Sequence, residues 1–276
     1  MAEGNDGNLL QHAAELAAVM LLLDRAATRI RLVCTHALRP FEDLRLAPGD
    51  PGTERVQSLI RRGSLLRRGL ADRRAQPPIV QAFAEMEVSA ERYPNSAELV
   101  RWAAQKAGKG VTGVLMERAP EKWKDLERAW GNTEVTLWRG CWRTHLPTLS
   151  VPSDPWLLTM DPMTFSTAKR RDSADLDAAD LDRLAVTLAP WFACDVSVGL
   201  LAIFCYGLQP RQQEPFRREI ERLRTRLGTE VHMDALQVGA WGPNLHVGAL
   251  FSREQSLLRS VRSTFSAPSL EGLLKA

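Results

Sequence analysis

The alternation of hydrophobic and polar residues changes period several times along the chain, and each change predicts an element. Residues 9–24 are largely apolar, as in a buried helix, and residues 29–34 then alternate as a strand does. Later apolar or alternating runs predict strands at residues 111–116, 134–138, 156–160, 198–205, 231–240 and 246–251. Helical spacing between them predicts helices at residues 121–130, 176–191 and 212–227.

This succession of strands and helices predicts an α/β fold with a doubly wound, mostly parallel sheet. Only a few residues separate the last two predicted strands, so we expect them to pair as an antiparallel hairpin. In such folds ligands bind at the carboxyl ends of the parallel strands. The residues that follow each strand are therefore the first candidates for a functional site.

One segment, residues 48–106, interrupts the alternation because it contains no convincing strand. We expect it to be a helical insertion after the first strand, within a single domain that spans residues 1–276. Leucines at helical spacing alternate there with arginines, and this pattern predicts an amphipathic basic helix. The arginines are Arg55, Arg61, Arg62, Arg67, Arg68, Arg73 and Arg74. They form either a solvated helix face or a surface that contacts phosphates, with Arg61, Arg62, Arg67 and Arg68 as the nucleic-acid-binding candidates.

The composition narrows the functional classes only slightly. With 45% hydrophobic residues and 8 tryptophans the chain has enough apolar surface to fold, and its formal charge of +3 permits a polyanionic partner without requiring one. The 4 cysteines, Cys34, Cys141, Cys194 and Cys205, form no Cys-x-x-Cys pair. We therefore expect buried, reduced thiols rather than a disulfide framework or a metal site.

The amino terminus is polar and acidic rather than basic, which does not fit a secretory signal. The most apolar stretch, residues 16–23, is much shorter than the roughly 20 residues that a membrane-spanning helix needs. We expect a cytoplasmic protein with no membrane partner.

The strand predicted at residues 156–160 runs into Asp161 and Pro162, with Phe165 close behind. An exocyclic amine on a base is a poor nucleophile, and it stays reactive when a carboxylate and a backbone carbonyl accept its two N–H groups while a ring stacks on the base. Asp161, the Pro162 carbonyl and Phe165 could supply these three parts. The alternative is that Asp-Pro only ends the strand, because proline forces extended geometry on the preceding residue.

Several further landmarks share one order and spacing. Gly4-Asn5 precedes His12, and the first strand ends in Thr35-His36-Ala37. The insertion closes with Arg92-Tyr93-Pro94-Asn95-Ser96, and the second strand ends in Glu117 before Arg118-Ala119-Pro120. Together with Asp161-Pro162 these landmarks make the chain resemble the bacterial adenine-N6 methyltransferases of 23S ribosomal RNA, across nearly its whole length.

The resemblance implies a Rossmann-like class I methyltransferase fold that uses S-adenosylmethionine and has RNA as its partner. It implies cofactor-binding positions at Asn5, His12, Thr35, His36, Glu117 and Arg139. In this family the acid after the second strand accepts hydrogen bonds from the ribose hydroxyls of the cofactor, a role that falls here on Glu117. Asp161, Pro162 and Phe165 fall on the catalytic positions.

The chain departs from the family pattern at the same site. Leu38, Arg39 and Pro40 stand where the family has glycines that let the backbone approach the cofactor. Arg139 stands where an acid reads the cofactor's adenine, and arginine cannot accept a hydrogen bond. Met163 and Thr164 replace the second proline and the stacking tyrosine, and Gln11 replaces a lysine.

These observations leave three functions open. The first is a methyltransferase that acts on an amino group, with adenine in RNA as its target. The second is a catalytically inactive relative that binds RNA or another protein through its basic insertion. The third is a methyltransferase of small molecules, which suits an altered pocket but gives the arginine-rich insertion no role.

Overall fold

The computed structural model describes residues 6–42, 51–89, 92–162, 164–166, 175–241 and 243–265. Within these ranges the strands are β1 Arg29–Cys34, β2 Phe41–Glu42, β3 Tyr93–Pro94, β4 Gly110–Glu117, β5 Val135–Arg139, β6 Trp156–Met160, β7 Gly199–Leu208, β8 His232–Trp241 and β9 Asn244–Ser252. The α-helices are α1 Asp6–Arg25, α2 Pro51–Arg67, α3 Pro78–Glu85, α4 Ser96–Lys106, α5 Pro120–Trp130, α6 Trp142–His145, α7 Ala178–Ala193, α8 Pro210–Leu227 and α9 Gln255–Phe265.

Seven of these strands form one twisted sheet in the order β5-β4-β1-β6-β7-β9-β8. All neighbours are parallel except β9, which runs antiparallel to both β7 and β8. Numbered within this sheet alone, the order is 3-2-1-4-5-7-6 with the seventh strand antiparallel, which is the Rossmann-like arrangement of class I methyltransferases. The predicted fold class and the C-terminal hairpin are confirmed.

The central strands are buried on both faces, because helices cover the sheet on each side. Ile30 and Leu32 of β1 pack into a core with α1, α4 and α9, whereas Val33 packs into a second core with α7 and α8. The alternation of side chains along a strand thus divides β1 between two cores. This burial explains why the central strands read as continuous apolar runs.

The segment between β1 and β4 is largely helical, as predicted, but it also contains the short strand β3, which pairs with β2. Helix α2 packs on α3 and α1, and Gly63 allows the close approach because a Cβ there would lie 3.1 Å from the Cβ of Phe83. Helix α4 instead packs on α1, β1 and β4, as the crossover helix of a β-α-β unit does. The division of the chain into a domain with an inserted subdomain remains a prediction.

This topology brings five loops to the carboxyl edge of the sheet, after β1, β4, β5, β6 and β7. The order of the strands reverses between β1 and β6, and this reversal point is where open α/β sheets bind ligands. None of the helices in the described ranges has the length and apolarity that a membrane span needs.

Candidate functional site

A cavity of about 370 Å³ opens at the carboxyl edge, between the loops that follow β1, β4 and β5. Thr35 and His36 line it from the first loop, Glu117 from the end of β4, and Trp142 from α6. The volume falls within the range of about 300 to 1,000 Å³ that is usual for small-molecule sites. The structure therefore brings three of the predicted cofactor-binding residues, Thr35, His36 and Glu117, to one cavity.

The Glu117 carboxylate holds the backbone of two loops. Its Oε1 accepts hydrogen bonds from the backbone N–H groups of Arg118 at 2.6 Å and Ala119 at 2.7 Å, and its Oε2 accepts one from Leu38 at 2.9 Å. The side chain is 8% exposed. A carboxylate has about four acceptor positions, so Glu117 retains about one for a ligand.

The loop after β1 turns at Leu38, whose φ of 57° lies in the left-handed region. This conformation is costly for leucine and free for glycine, the residue that the family has in this loop. Asn95 fixes the loop from the other side, because its Nδ2 donates to the carbonyl of Ala37 while its Oδ1 accepts from the N–H of Glu98 and caps α4. The turn is thus kept although the glycine is absent.

His36 is a neutral side chain at the wall of the cavity. Its Nδ1 is hydrogen-bonded to the Thr35 hydroxyl at 2.9 Å. Burial lowers the pKa of His36 to about 4, and the nearby positive charges of Arg143 and Lys122 act in the same direction. At neutral pH this imidazole is uncharged and can donate or accept one hydrogen bond toward the cavity.

Asp161 follows β6 directly and is partly buried. Its Oδ1 is shielded from solvent and has no hydrogen-bond partner among the described residues. Burial raises the pKa of Asp161 well above its ordinary value, and the charge of Glu15 raises it further, while Lys122 and the Tyr206 hydroxyl oppose the rise. Such an orphaned acceptor is costly in a folded protein unless a ligand brings it a donor.

The other two predicted catalytic groups, the Pro162 carbonyl and the Phe165 ring, already contact neighbouring residues. The Pro162 carbonyl accepts a long hydrogen bond, 3.4 Å, from the backbone N–H of Tyr206. Phe165 is 2% exposed and packs edge-on against Phe216, with 5.5 Å between the ring centroids. A base cannot stack on a ring in that position, so the suggested stacking role does not fit Phe165. Met163, between them, lies outside the described residues.

Two further predicted cofactor residues, His12 and Arg139, do not line the cavity. His12 is buried in the core, where its Nδ1 is hydrogen-bonded to the Tyr93 hydroxyl at 2.7 Å and the two rings stack. Arg139 is exposed at the end of β5, in register with Glu117 but without an ion pair to any described residue. Asn5 lies outside the described residues.

Comparison with known proteins gives a structural likeness and no sequence match. No protein-family model matches the chain, and no curated protein does. Protein LPL1258 from Legionella pneumophila strain Philadelphia 1, of the DUF519 family, superposes with a TM-score of 0.62 at 14% identity, over 96% of this chain and 94% of that one. This likeness shows the fold. A rRNA methylase from Streptococcus thermophilus matches more weakly, with a TM-score of 0.34 at 9% identity, over 52% of this chain and 76% of that one.

Sequence reasoning did not find the ion pair that shapes the far wall of the cavity. Arg143, just after Trp142, donates from Nε and Nη2 to the two carboxylate oxygens of Asp180, both at 2.8 Å. Asp180 is fully buried and also forms a capping box with Asp177 at the start of α7. The Asp177-x-x-Asp180 spacing is a local helix-start pattern, but no local pattern indicates that the partner of Asp180 lies 37 residues earlier.

The arginines of the insertion lie on the outer side of α2 and just beyond it. Arg61, Arg67 and Arg68 are exposed, Arg62 is partly exposed, and none of the four forms an ion pair with a described residue. The arginines of α8 differ, because Arg217, Arg222 and Arg224 each pair with a glutamate three residues earlier. The four arginines of the insertion lack such partners among the described residues.

In the described ranges no group of three or more His, Cys, Asp or Glu side chains is arranged to hold a metal ion. The thiols of Cys34 and Cys205 are buried, and burial raises the pKa of Cys205 well above its ordinary value. Neither thiol lines the cavity.

Proposed function

We propose that the protein is an S-adenosylmethionine-dependent methyltransferase that acts on an exocyclic amine, with adenine in ribosomal RNA as its target. The observation that carries this proposal is the unpaired, shielded Oδ1 of Asp161, which stands at the carboxyl edge beside the cavity of Thr35, His36 and Glu117. The fold and the cavity are compatible with many ligands, whereas an orphaned carboxylate oxygen at this point selects for one that brings a hydrogen-bond donor, such as an amine N–H group.

The chemistry of Asp161 fits a substrate that donates a hydrogen bond, as an amine does, rather than a carbonyl group. An unsatisfied buried acceptor costs about 1 to 3 kcal/mol, which an incoming N–H group would recover. The same hydrogen bond would stabilise the charged carboxylate and bring the pKa of Asp161 back toward its ordinary range. Asp161 would then hold the amine in the orientation in which its lone pair is free to react.

The residues of the cavity fit the adenosine portion of S-adenosylmethionine. The volume suits a nucleoside, Glu117 keeps about one acceptor position for a ribose hydroxyl, and the Trp142 side chain offers an apolar wall. Thr35 and His36 would hold the part of the ligand nearest to Asp161. When bound, the cofactor supplies an electrophilic methyl group, and the protein's contribution is to orient the amine and to exclude water.

Methyl transfer to unmodified ribosomal RNA, followed by nucleoside analysis of the product, tests this function. We expect wild-type protein to form N6-methyladenosine and Asp161→Ala to lose at least about 100-fold in rate, since the amine would no longer be oriented. Asp154→Asn is the matched control, because Asp154 lies before β6, at the opposite end of the same strand, and pairs with Arg29. If Asp161→Ala retains the wild-type rate, the amine-orienting role is wrong.

A second candidate is a catalytically inactive protein that binds RNA. The specific observation in its favour is that backbone N–H groups of the loop after β1 are already hydrogen-bonded within the protein. The N–H of Ala37 donates to the Met116 carbonyl, and that of Leu38 donates to the Glu117 carboxylate. Pro40 has no N–H to offer. Retained RNA affinity together with no detectable binding of S-adenosylmethionine would favour this candidate over the enzyme.

A further inference from the structure

A buried polar network lies behind Asp161, between helix α1 and strands β6 and β7. Its members are Gln11, Glu15, Thr159 and Tyr206, and we call it the Glu15 network. All four side chains are at least nine-tenths buried; Glu15 is 3% exposed. Neither the proposed cofactor cavity nor the Asp-Pro motif accounts for a buried carboxyl group at this position.

Two donors of the network, from Gln11 and Thr159, bind Glu15 directly. The Tyr206 hydroxyl donates to Gln11 Oε1, the Gln11 Nε2 donates to Glu15 Oε1 at 2.9 Å, and the Thr159 hydroxyl donates to the same Oε1. Glu15 Oε1 is therefore saturated. Glu15 Oε2 is buried and meets no donor in hydrogen-bonding geometry among the described residues. Burial raises the pKa of Glu15, and the Ser96 hydroxyl near the carboxyl group opposes that rise.

The position of Glu15 relative to Asp161 suits a shared ligand. Thr159 and Asp161 are two residues apart, and continued strand alternation puts their side chains on one side of the sheet, about 7 Å apart along the chain. Two oxygens that each accept one N–H of a single amine stand about 5 Å apart. The Glu15 carboxyl group is hydrogen-bonded to Thr159, on the same side of the sheet as Asp161, and it is close enough to Asp161 that its charge raises the pKa of Asp161.

The Pro162 carbonyl accepts one hydrogen bond from the N–H of Tyr206, so only one of its two lone pairs is left for a ligand. Two unpaired carboxyl oxygens remain at this end of β6, Glu15 Oε2 and Asp161 Oδ1. Thr35, which lines the cavity, also reaches this region, since its hydroxyl donates to the carbonyl of Thr159 at 3.4 Å.

We propose that Glu15 is the second acceptor of the amine site, so that Glu15 Oε2 and Asp161 Oδ1 together bind the two N–H groups of one exocyclic amine. The inference rests on the proposed function and makes its substrate class narrower. A pair of carboxylates selects bases that carry an –NH₂ group, such as adenine, and rejects the corresponding oxo bases, which present an acceptor in its place.

Glu15→Gln tests this proposal sharply, because the network fixes how a glutamine would lie. Gln11 and Thr159 both need an acceptor, so the new amide oxygen would take the place of Oε1 and its –NH₂ would take the place of Oε2. The substitution thus turns the unpaired acceptor into a donor with hardly any change of shape. The matched control is Glu98→Gln. Glu98 is also buried, at 2% exposed, but both of its carboxylate oxygens accept hydrogen bonds, one from Trp130 and one from Arg101.

The probes are adenosine and inosine, titrated by NMR into the wild-type protein and both variants. We expect wild-type protein and Glu98→Gln to bind adenosine more tightly than inosine, and Glu15→Gln to lose this preference by about tenfold or more, the factor that corresponds to one hydrogen bond. Thermal unfolding gives the second readout. Glu15→Gln should melt at or above the wild-type temperature because a buried carboxyl with an unpaired oxygen is removed, whereas Glu98→Gln should melt lower.

Two results would overturn the inference. An undiminished adenosine preference in Glu15→Gln, with the preference lost in Asp161→Asn, would leave the proposed function intact. It would show that Glu15 does not bind the amine. A much lower melting temperature of Glu15→Gln would make the network purely structural. If wild-type protein shows no adenosine preference at all, the proposed function falls as well.

Discussion

At the scale of single residues, Leu38 shows how the chain keeps a turn whose usual glycine is absent. Its left-handed backbone places its N–H on Glu117, so the turn connects the loop after β1 to the end of β4. A left-handed conformation costs an ordinary L-residue roughly 1 to 2 kcal/mol, and only the surrounding hydrogen bonds hold it there.

Leu38→Gly should therefore raise the free energy of unfolding by about 1 kcal/mol, measured by denaturant titration. Leu38→Ala is the control, because alanine keeps the Cβ that makes the conformation costly. A glycine variant that is no more stable than the alanine variant would show that the backbone at this position is not strained.

The buried His12 predicts a specific loss of stability in acid. Burial lowers the pKa of His12 from 6.5 to about 3, so below pH 6.5 the unfolded chain binds a proton that the folded protein does not. Stability is complete above pH 6.5 and falls as the pH falls toward 3, with about 2 kcal/mol lost between pH 6.5 and pH 5.

Thermal or denaturant unfolding at several pH values tests this, with His12→Gln as the comparison because glutamine can still hydrogen-bond to Tyr93. The variant should lose less stability than wild type over the same pH range, while His36 keeps its own contribution in both proteins. Equal slopes would mean that His12 is not a buried neutral imidazole.

At the scale of elements, the ion pair of Arg143 and Asp180 joins the end of β5 and α6 to the start of α7. Asp180→Ala should lower the free energy of unfolding by about 3 to 5 kcal/mol, because it leaves the largely buried guanidinium of Arg143 without its carboxylate. Asp182→Ala, two residues later, removes only exposed pairs with Arg222 and Arg226 and should cost less than about 1 kcal/mol. Similar losses in both variants would contradict the assignment.

Element prediction from the sequence worked where local pattern and burial agree. Strands β1 and β6 have the bounds that their apolar runs predicted, because burial on both faces makes the whole strand apolar. The two-residue strand β3 was missed, since it exists only through pairing with β2, about fifty residues earlier. The position of Phe165 was not predictable for the same reason, because Phe216 on a distant helix determines it.

The residues of the site likewise include some whose positions the sequence predicts and one, Glu15, whose position it does not. Glu117 and Asp161 follow strands, so their place at the carboxyl edge could be read from the chain. Glu15 could not be recognised, because one acid in an almost wholly apolar helix has no local signal, and only the packing of α1 against the sheet brings its carboxyl group to Thr159.

At the scale of the whole molecule, the two arginine-rich helices α2 and α8 differ in whether their arginines are paired with glutamates. Replacing Arg61, Arg62, Arg67 and Arg68 with glutamine should weaken RNA binding and reduce the slope of log K against log salt concentration by about 3. The control replaces Arg217, Arg222 and Arg224, which already pair with glutamates on α8. Filter binding over a range of salt concentrations gives both slopes. An unchanged slope in the α2 variant would show that these arginines form a solvated helix surface and do not contact RNA phosphates.

The central claim is that the cavity at the carboxyl edge holds S-adenosylmethionine, and calorimetric titration of the purified protein with this compound tests it most directly. We predict saturable binding of one molecule per chain, weakened at least about tenfold in Glu117→Ala because the variant loses both the ribose acceptor and the hydrogen bonds that shape the loop after β1. No detectable heat at millimolar concentrations of the compound would contradict the account.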